Sequence, residues 1–207
     1  SVQASPLTMA NVYATLGANG VACTPIAMTR VTDKNGDEID VPQADCHQAI
    51  DPEVAQTTAY ALNQGVVTAG GEAATTQLDN GRKTFAKTGT NENTYMLTAG
   101  FVPNVVSAFV AVGDAQDPLN NTFDNKTING VYRSEWFGMY IATPAWKQFM
   151  NTYLNAINAP IDNNYGNPAQ KYLTVSRAQA TTNTQNNQNN QTTQNGQQAQ
   201  NQNQEGQ

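Results

Sequence analysis

The sequence contains little positive charge. Its 207 residues include 10 lysines and arginines against 16 aspartates and glutamates, which gives a net charge of -6. The cations are scattered, so no basic patch forms that could follow nucleic-acid phosphates, and we expect no nucleic-acid partner. No apolar run reaches the length of a membrane span, and residues 1–20 lack the basic start of a secretory signal. The chain is therefore either cytosolic or targeted by a segment upstream of residue 1, and we favour the second, because the sequence starts in what looks like the middle of a domain.

Histidine and cysteine are also scarce. The only histidine, His47, lies in a polar stretch beside Asp45 and Cys46, and Cys23 is the second of two cysteines. One histidine and two cysteines do not complete a closed zinc site, so we predict no metal site and no cofactor. No serine stands in the context of a nucleophile elbow, which argues against a Ser-His-Asp hydrolase.

Large apolar side chains disappear at the C-terminal end of the sequence. Residues 181–207 are almost entirely Asn, Gln, Thr, Gly and Ala. Such a segment buries too little surface to offset the entropy of ordering, so we predict a disordered tail, with a prion-like polar segment as the alternative. We place the boundary after residue 160, with a folded part at 1–160 and the tail at 161–207.

The folded part contains three helix signals. A cap residue followed by proline occurs at Ser5-Pro6, Asp51-Pro52 and Thr143-Pro144. The first helix should be core and end near Gly17, and the second should end near Gly65. The third should cover a sheet with an apolar face at helical spacing. That face comprises Trp146, Phe149, Met150, Tyr153, Leu154 and Ile157.

Strand signals lie between these helices. Asn35-Gly36 is a tight-turn signal between residues 21–33 and 38–41 and predicts a hairpin. Residues 84–88, 96–102 and 105–112 predict three strands whose short links make them antiparallel neighbours. Residues 114–133 are polar and predict a surface loop. The expected fold class is α+β, an antiparallel sheet covered by helices.

One stretch carries recognisable chemistry, Lys87-Thr88-Gly89-Thr90. A β-branched and aromatic run leads into it, which predicts a strand that presents polar groups to a cleft. Gly89 would let another extended backbone lie close to the strand edge. Lys87 and the hydroxyls of Thr88 and Thr90 could then hold a carboxylate. By itself the motif is a weak signal, and an ordinary edge strand with a glycine bulge is the alternative.

Further blocks accompany this motif. Residues 5–16 read SPLTMANVYATL, residues 100–103 read GFVP and residues 142–150 read ATPAWKQFM. In this order they resemble the S-P-L-E-M-A-x-A-Y-A-x-F, G-Y-T-P and A-x-P-x-W-x-x-F-M blocks of the transpeptidase domain of class A penicillin-binding proteins, bifunctional enzymes of peptidoglycan synthesis. Residues 95–98 depart from the family's D-A-W-F, which alters local packing. The resemblance covers residues 5–155 and implies the C-terminal half of the penicillin-recognising serine enzyme fold.

The resemblance also implies an activity and site roles. It points to a D,D-transpeptidase that cross-links peptidoglycan stem peptides ending in D-Ala-D-Ala through an acyl-serine, and that is acylated by β-lactam antibiotics. Lys87 would keep the site electropositive and help to position the substrate carboxylate. Thr88 and Thr90 would donate hydrogen bonds to that carboxylate, and the Thr90 backbone N–H would serve the oxyanion hole.

The nucleophile that this mechanism needs is absent from the sequence. The family uses S-x-x-K and S-x-N motifs. None of the five serines matches either pattern; they are Ser1, Ser5, Ser107, Ser134 and Ser176. Tyr165-Gly166-Asn167 imitates a Y-x-N variant but follows Lys87 in the chain, the wrong order, and is interpreted as a polar turn. The catalytic serine and lysine are therefore expected upstream of residue 1, in the missing N-terminal part of the domain, and this chain alone should be inactive.

Two rival functions remain open at this point. A D,D-carboxypeptidase or serine β-lactamase would share the motif, although the block at residues 5–16 favours the transpeptidase. A non-catalytic secreted module that uses its tail as a wall tether would also lack S-x-x-K. The expected location is the extracytoplasmic face of the bacterial membrane, anchored by an upstream segment.

Cys23 and Cys46 are predicted to form a disulfide. An even cysteine count outside the cytosol permits pairing. The two residues are almost symmetric about Asn35-Gly36, but a two-residue turn would leave them two residues out of register. A bulge or a wider turn would close that gap. Two half-buried thiols are the alternative.

Overall fold

The computed structural model describes residues 4–173. A first compact unit runs to Ala169, and a second begins at Gln170 with a four-residue helix, Gln170–Leu173. The first unit thus extends past residue 160, where we placed the boundary, because Arg82 donates to the Pro160 carbonyl and the Gly166 N–H donates to the Gln56 side chain. From residue 174 onward, the predicted tail lies outside the described residues. No helix within residues 4–173 has the length and apolar character needed to cross a membrane.

The first two helices begin where the cap signals predict. Helix α1 is Pro6–Gly17, and the Ser5 hydroxyl accepts from the Thr8 N–H. Its expected core role holds only for the last turn, since Leu7 is 64% exposed. Helix α2 is Pro52–Val67, capped by the Asp51 carboxylate, and it continues two residues past Gly65. The buried face of α2 comprises Ala55, Ala59, Asn63 and Val66.

The third helix starts earlier than Thr143-Pro144 predicts. Helix α3 is Gly138–Ala156, and Pro144 lies inside it. The cap prediction was wrong because the start of α3 is set by contacts with the sheet, which a local cap signal does not reveal. Trp146, Met150 and Leu154 are buried as expected. The other half of the predicted apolar face is exposed, namely Phe149, Tyr153 and Ile157.

Two short antiparallel pairs surround the predicted hairpin. Strand β1 (Val21–Cys23) pairs with β4 (Cys46–Gln48), and β2 (Val31–Thr32) pairs with β3 (Glu38–Ile39). The turn at Asn35-Gly36 is wider than two residues, because the Asp33 carboxylate accepts from the N–H groups of Asn35 and Asp37. These bonds, with that of Asp37 the strongest, lower the pKa of Asp33.

The wider turn removes one of the two residues of register gap between the cysteines, and the other is taken up because residues 24–30 are one residue longer than residues 40–45. Cys23 lies directly opposite Cys46 in the β1–β4 pair, with a Cα–Cα distance of 4.0 Å. The two residues form a disulfide bond. The bond ties β1, which follows α1 in the chain, to β4, which precedes α2.

The central sheet has the predicted three strands. They are β5 (Phe85–Asn91), β6 (Tyr95–Val102) and β7 (Val106–Val112), antiparallel and in the order β5-β6-β7. A 3₁₀ helix, Glu72–Thr76, precedes β5. Residues 114–133 are not all loop, because β8 (Lys126–Ile128) and β9 (Val131–Arg133) form a hairpin. Asn129 and Gly130 make its turn with φ of 50° and 78°, so this Asn-Gly hairpin signal was missed.

The two faces of the sheet are covered differently. On the α3 face, Trp146, Met150 and Leu154 pack against Ala86 and Ala108. On the α1–α2 face, Phe85 and Phe101 stack with ring centroids 5.0 Å apart, and both meet Tyr165 edge-on. Leu16, Ala55 and Ala59 complete this second cluster. Toward the β5–β6 turn, the α1–α2 face is less covered: Lys87 and Ala111 are exposed, and Gly89, Leu97 and Phe109 are half-buried.

Candidate active site

The motif Lys87-Thr88-Gly89-Thr90 lies within β5, an edge strand of the sheet. One edge of β5 pairs with β6, and within residues 4–173 no strand pairs with the other edge. Because side chains alternate along a strand, Lys87 lies on the α1–α2 face, and Thr88 and Thr90 lie on the α3 face. The cation and the two hydroxyls therefore approach each other only around the free edge of β5.

Lys87 is exposed and is held by its own strand. Its ammonium group donates to the Thr88 backbone carbonyl at 2.6 Å. The ion pairs of residues 4–173 do not include Lys87. Its charge is therefore available at the less covered end of the α1–α2 face.

Thr88 is nearly buried, with 4% of its surface exposed. Its hydroxyl donates to the Glu72 carboxylate at 3.4 Å. Thr98, opposite Thr88 on β6, shares a hydrogen bond of 2.8 Å with Thr143 of α3. The α3 face beneath the motif is therefore polar, and the hydroxyl proton of Thr88 already has an acceptor.

Thr90 differs from Thr88 because it is exposed and its hydroxyl acts as an acceptor. The Gly138 N–H, at the start of α3, donates to it at 3.1 Å. Phe137, the N-cap residue, supplies no side-chain cap. The hydroxyl of Thr90, on β5, therefore caps the start of α3 in its place. A hydroxyl that accepts one bond keeps its proton, so Thr90 can still donate outward.

Two glycines allow these elements to meet. A Cβ on Gly138 would collide with the carbonyl oxygens of Gly89 and Leu97, so the start of α3 lies against the strands only without a side chain. A Cβ on Gly89 would lie 3.2 Å from the Leu97 Cβ. The missing side chain of Gly89 therefore leaves a gap on the α1–α2 face beside Leu97, its partner on β6, and the approach of an extended ligand to β5 stays a prediction.

Sequence reasoning missed Glu72 and Gly138 as neighbours of the motif. Glu72 lies 16 residues before Thr88, and Gly138 lies 48 residues after Thr90. Each contact depends on tertiary packing, and no local pattern signals the Glu72 contact. For Gly138, the one usable signal was a glycine directly before an apolar helical run, which allows a close approach of backbone.

The other candidates occupy structural positions. Exposed His47 lies in β4, and no group of three possible metal ligands occurs among the described residues. Ser107 donates to the Ala10 carbonyl. Tyr165 is buried rather than part of a simple polar turn, because its hydroxyl donates to the Leu16 carbonyl and accepts from the Asn19 N–H. Burial raises the pKa of Tyr165, and the Asn19 bond opposes that shift.

A family model described as the penicillin binding protein transpeptidase domain matches residues 1–130. No curated protein matches the sequence.

Solved structures show the same fold. The PonA1 protein from Mycobacterium tuberculosis, in complex with penicillin V, superposes with a TM-score of 0.59 at 24% identity, covering 79% of this chain and 41% of that one. Penicillin-binding protein 1A from Haemophilus influenzae gives 0.58 at 21% identity, covering 77% of this chain and 27% of that one. The chain thus spans less than half the length of these proteins. Together with the family match, the fold confirms the predicted resemblance, and the chain belongs to the penicillin-binding protein transpeptidase domain family.

Proposed function

We propose that this chain forms part of a D,D-transpeptidase that cross-links peptidoglycan stem peptides through an acyl-serine intermediate. The observation that supports it best is the position of Lys87, Thr88 and Thr90 around the free edge of β5. A peptide added along that edge would bond to the β5 backbone and meet the cation on one face and a hydroxyl on the other. A stem peptide ending in D-Ala-D-Ala offers both an extended backbone and a terminal carboxylate.

Each residue of the site has a separate role in forming the acyl-serine. The serine oxygen, supplied by sequence outside residues 1–207, attacks the penultimate D-Ala carbonyl, and the bond to the terminal D-Ala nitrogen breaks. The Thr90 hydroxyl donates a hydrogen bond to the terminal carboxylate, since it already accepts one from the Gly138 N–H and keeps its own proton free to donate. Lys87 contributes a positive field close to that carboxylate. The Thr90 N–H assists the oxyanion, and one such donor lowers the barrier by about 2.7–4 kcal/mol.

Substituting Thr90 in the full-length protein tests this assignment. Thr90→Val keeps the shape but removes the proton, and a hydrogen bond to a charged group contributes about 1.5–3 kcal/mol. The second-order acylation rate with a carboxylate-bearing β-lactam should fall about 10- to 100-fold. Thr90→Ser should retain most of the rate, and Thr127→Val, at an exposed strand position, should leave it unchanged. An unaltered rate in Thr90→Val would remove Thr90 from the site.

The 207-residue chain alone provides a second test. Ser5 caps α1 and Ser107 bonds to α1, so neither is placed as a nucleophile. Incubation with a fluorescent penicillin should give no covalent label on a denaturing gel. A labelled serine would show that the nucleophile lies within this chain.

The location and partners belong to the same proposal. The Cys23–Cys46 disulfide fits an oxidising compartment. The extracytoplasmic face of the bacterial membrane is such a compartment, and peptidoglycan and β-lactams are both found there. The remaining partner is the N-terminal part of the domain, which would cover the exposed end of the α1–α2 face.

A further inference from the structure

We propose that Lys126 and Arg133, on the β8–β9 hairpin, form a binding site for a carboxylate group. The two cations lie in a polar stretch for which the sequence predicted a surface loop. The proposal rests on their register, on the stacking of Arg133 and on the absence of a counterion among residues 4–173.

The register places two positive charges opposite each other. Lys126 and Arg133 are directly paired in the antiparallel hairpin. Side chains at paired positions share one face about 5 Å apart, and like charges there are destabilising. The other short hairpin shows the usual solution, since Arg30 beside β2 forms a 2.7 Å ion pair with Glu38 of β3. An anion held between Lys126 and Arg133 would turn the repulsion into attraction.

Arg133 is held in one orientation by aromatic rings. Its guanidinium carbon lies 3.8 Å from the Tyr140 ring centroid and 5.3 Å from that of Trp136. Its Nε is buried and has no hydrogen-bond partner, and no other side-chain nitrogen or oxygen in residues 4–173 is in that state. Stacking fixes the plane of the guanidinium, so a planar ligand group can meet its terminal nitrogens at little entropic cost.

No carboxylate of the described chain neutralises the pair. The ion pairs found in residues 4–173 are Arg30–Glu38 and Lys147–Asp79. Two acids lie close in sequence, but Asp124 accepts from the Asn93 amide, and exposed Glu135 forms no ion pair. The site therefore keeps its positive charge within a chain whose net charge is -6.

These features select a small, singly charged group. An arginine fork matches the two oxygens of a carboxylate, and a lysine adds a point charge beside it. Tyr140 lies in the first turn of the 19-residue helix α3, whose positive end adds to the local field. The net negative charge of the chain opposes a polyanion. A peptide carboxylate fits all three conditions.

An NMR titration of the 207-residue chain with acetate tests the proposal. The sequence has four arginines, and burial of the Arg133 Nε should slow the exchange of its proton enough for its signal to report on this site. Its signal should shift in a saturable manner, with a dissociation constant on the order of 1–10 mM. Acetamide, and sodium chloride at equal ionic strength, should not reproduce the shift.

Matched variants show whether the paired cations cause the binding. Lys126→Gln, at an exposed position, should weaken acetate binding about two- to fivefold. Lys34→Gln, which removes an exposed lysine beside the other hairpin, should leave binding unchanged. A shift that stays linear with acetate, or equal affinities in the two variants, would overturn the proposal.

Discussion

The two faces of the central sheet are built from the same strands but are buried to different extents. The α3 face is covered from β5 to β7 by one long helix, and Met96, Thr98 and Trp146 on it are completely buried. The α1–α2 face is equally tight around Phe85 and Phe101, then becomes half-exposed toward the β5–β6 turn. Stability should therefore be concentrated on the α3 face and at one end of the α1–α2 face. The exposed end of the α1–α2 face coincides with Lys87, so the part with least packing carries the cation of the candidate site, whereas Thr88 and Thr90 lie on the α3 face.

The largest effect is expected on the α3 face. Trp146 is fully buried, and its indole N–H donates to the Ala108 carbonyl at 3.0 Å. Trp146→Ala should lower the free energy of unfolding by about 3–5 kcal/mol through cavity formation. Phe149→Ala, on the exposed side of the same helix, is the matched control and should cost less than about 1 kcal/mol. Urea unfolding measures both, and equal losses would contradict the difference between the two sides of α3.

Breaking the disulfide should have the next largest effect. Cys23 and Cys46 are separated by 23 residues, and closing a loop of this size contributes about 3 kcal/mol on the chain-entropy model. The double substitution to serine should reduce the stability of the α1–α2 side by that amount, as measured by thermal melting without reductant. A melting curve that superposes on the wild type would mean that the β1–β4 pair is already rigid without the bond.

Removing the Tyr165 hydroxyl probes the tightly packed end of the α1–α2 face. Tyr165→Phe loses the bonds to the Leu16 carbonyl and the Asn19 N–H, and should cost about 1–3 kcal/mol. Burial raises the folded-state pKa of Tyr165. The stability that its neutral hydroxyl contributes is therefore fully present below the unfolded pKa of about 10, and it is lost as pH rises beyond that value through the folded-state pKa. The difference in free energy of unfolding between the wild type and Tyr165→Phe should therefore become smaller at alkaline pH, as measured by denaturant titrations. A constant gap would contradict the burial of the hydroxyl.

The smallest effect should lie at the exposed end of that face. Leu97 is half-buried, and Leu97→Gln in this chain should change the free energy of unfolding by less than about 1 kcal/mol. In the full-length protein, where we propose that the N-terminal part covers this end, the same change should cost about 2 kcal/mol or more. Similar losses in both proteins would show that nothing packs on Leu97.

Local signals were sufficient for most elements. The caps at Ser5 and Asp51 act through contacts two or three residues away, so their helices begin where the sequence indicates. The three central strands follow from β-branched runs with short links. Sequence blocks also identified the family. These features depend on neighbours in the chain, and the pattern there contains the necessary information.

Features that depend on distant partners were not predictable in the same way. The start of α3 is set by the contact of Gly138 with Thr90 of β5. The cap signal at Thr143-Pro144 therefore predicted a start that is too late in the sequence. The division of the motif between two faces follows from alternation, but the acceptor of the Thr88 hydroxyl, Glu72, required the fold. The β8–β9 hairpin is different, because Asn129-Gly130 was a usable local signal that polar composition obscured.

Pro144 affects how easily the first turn of α3 unfolds. Proline has no N–H, so the Tyr140 carbonyl lacks the helical hydrogen bond that position 144 would provide. The first turn thus has one helical hydrogen bond fewer, and the bonds from the Tyr140 N–H to the Phe137 carbonyl and from the Gly138 N–H to the Thr90 hydroxyl add to those that remain. It can therefore unfold locally while the rest of the helix stays closed. A ligand that binds Thr90 only when this turn is formed would slow hydrogen exchange across it, so occupancy of the β5 edge would be visible in amides of α3.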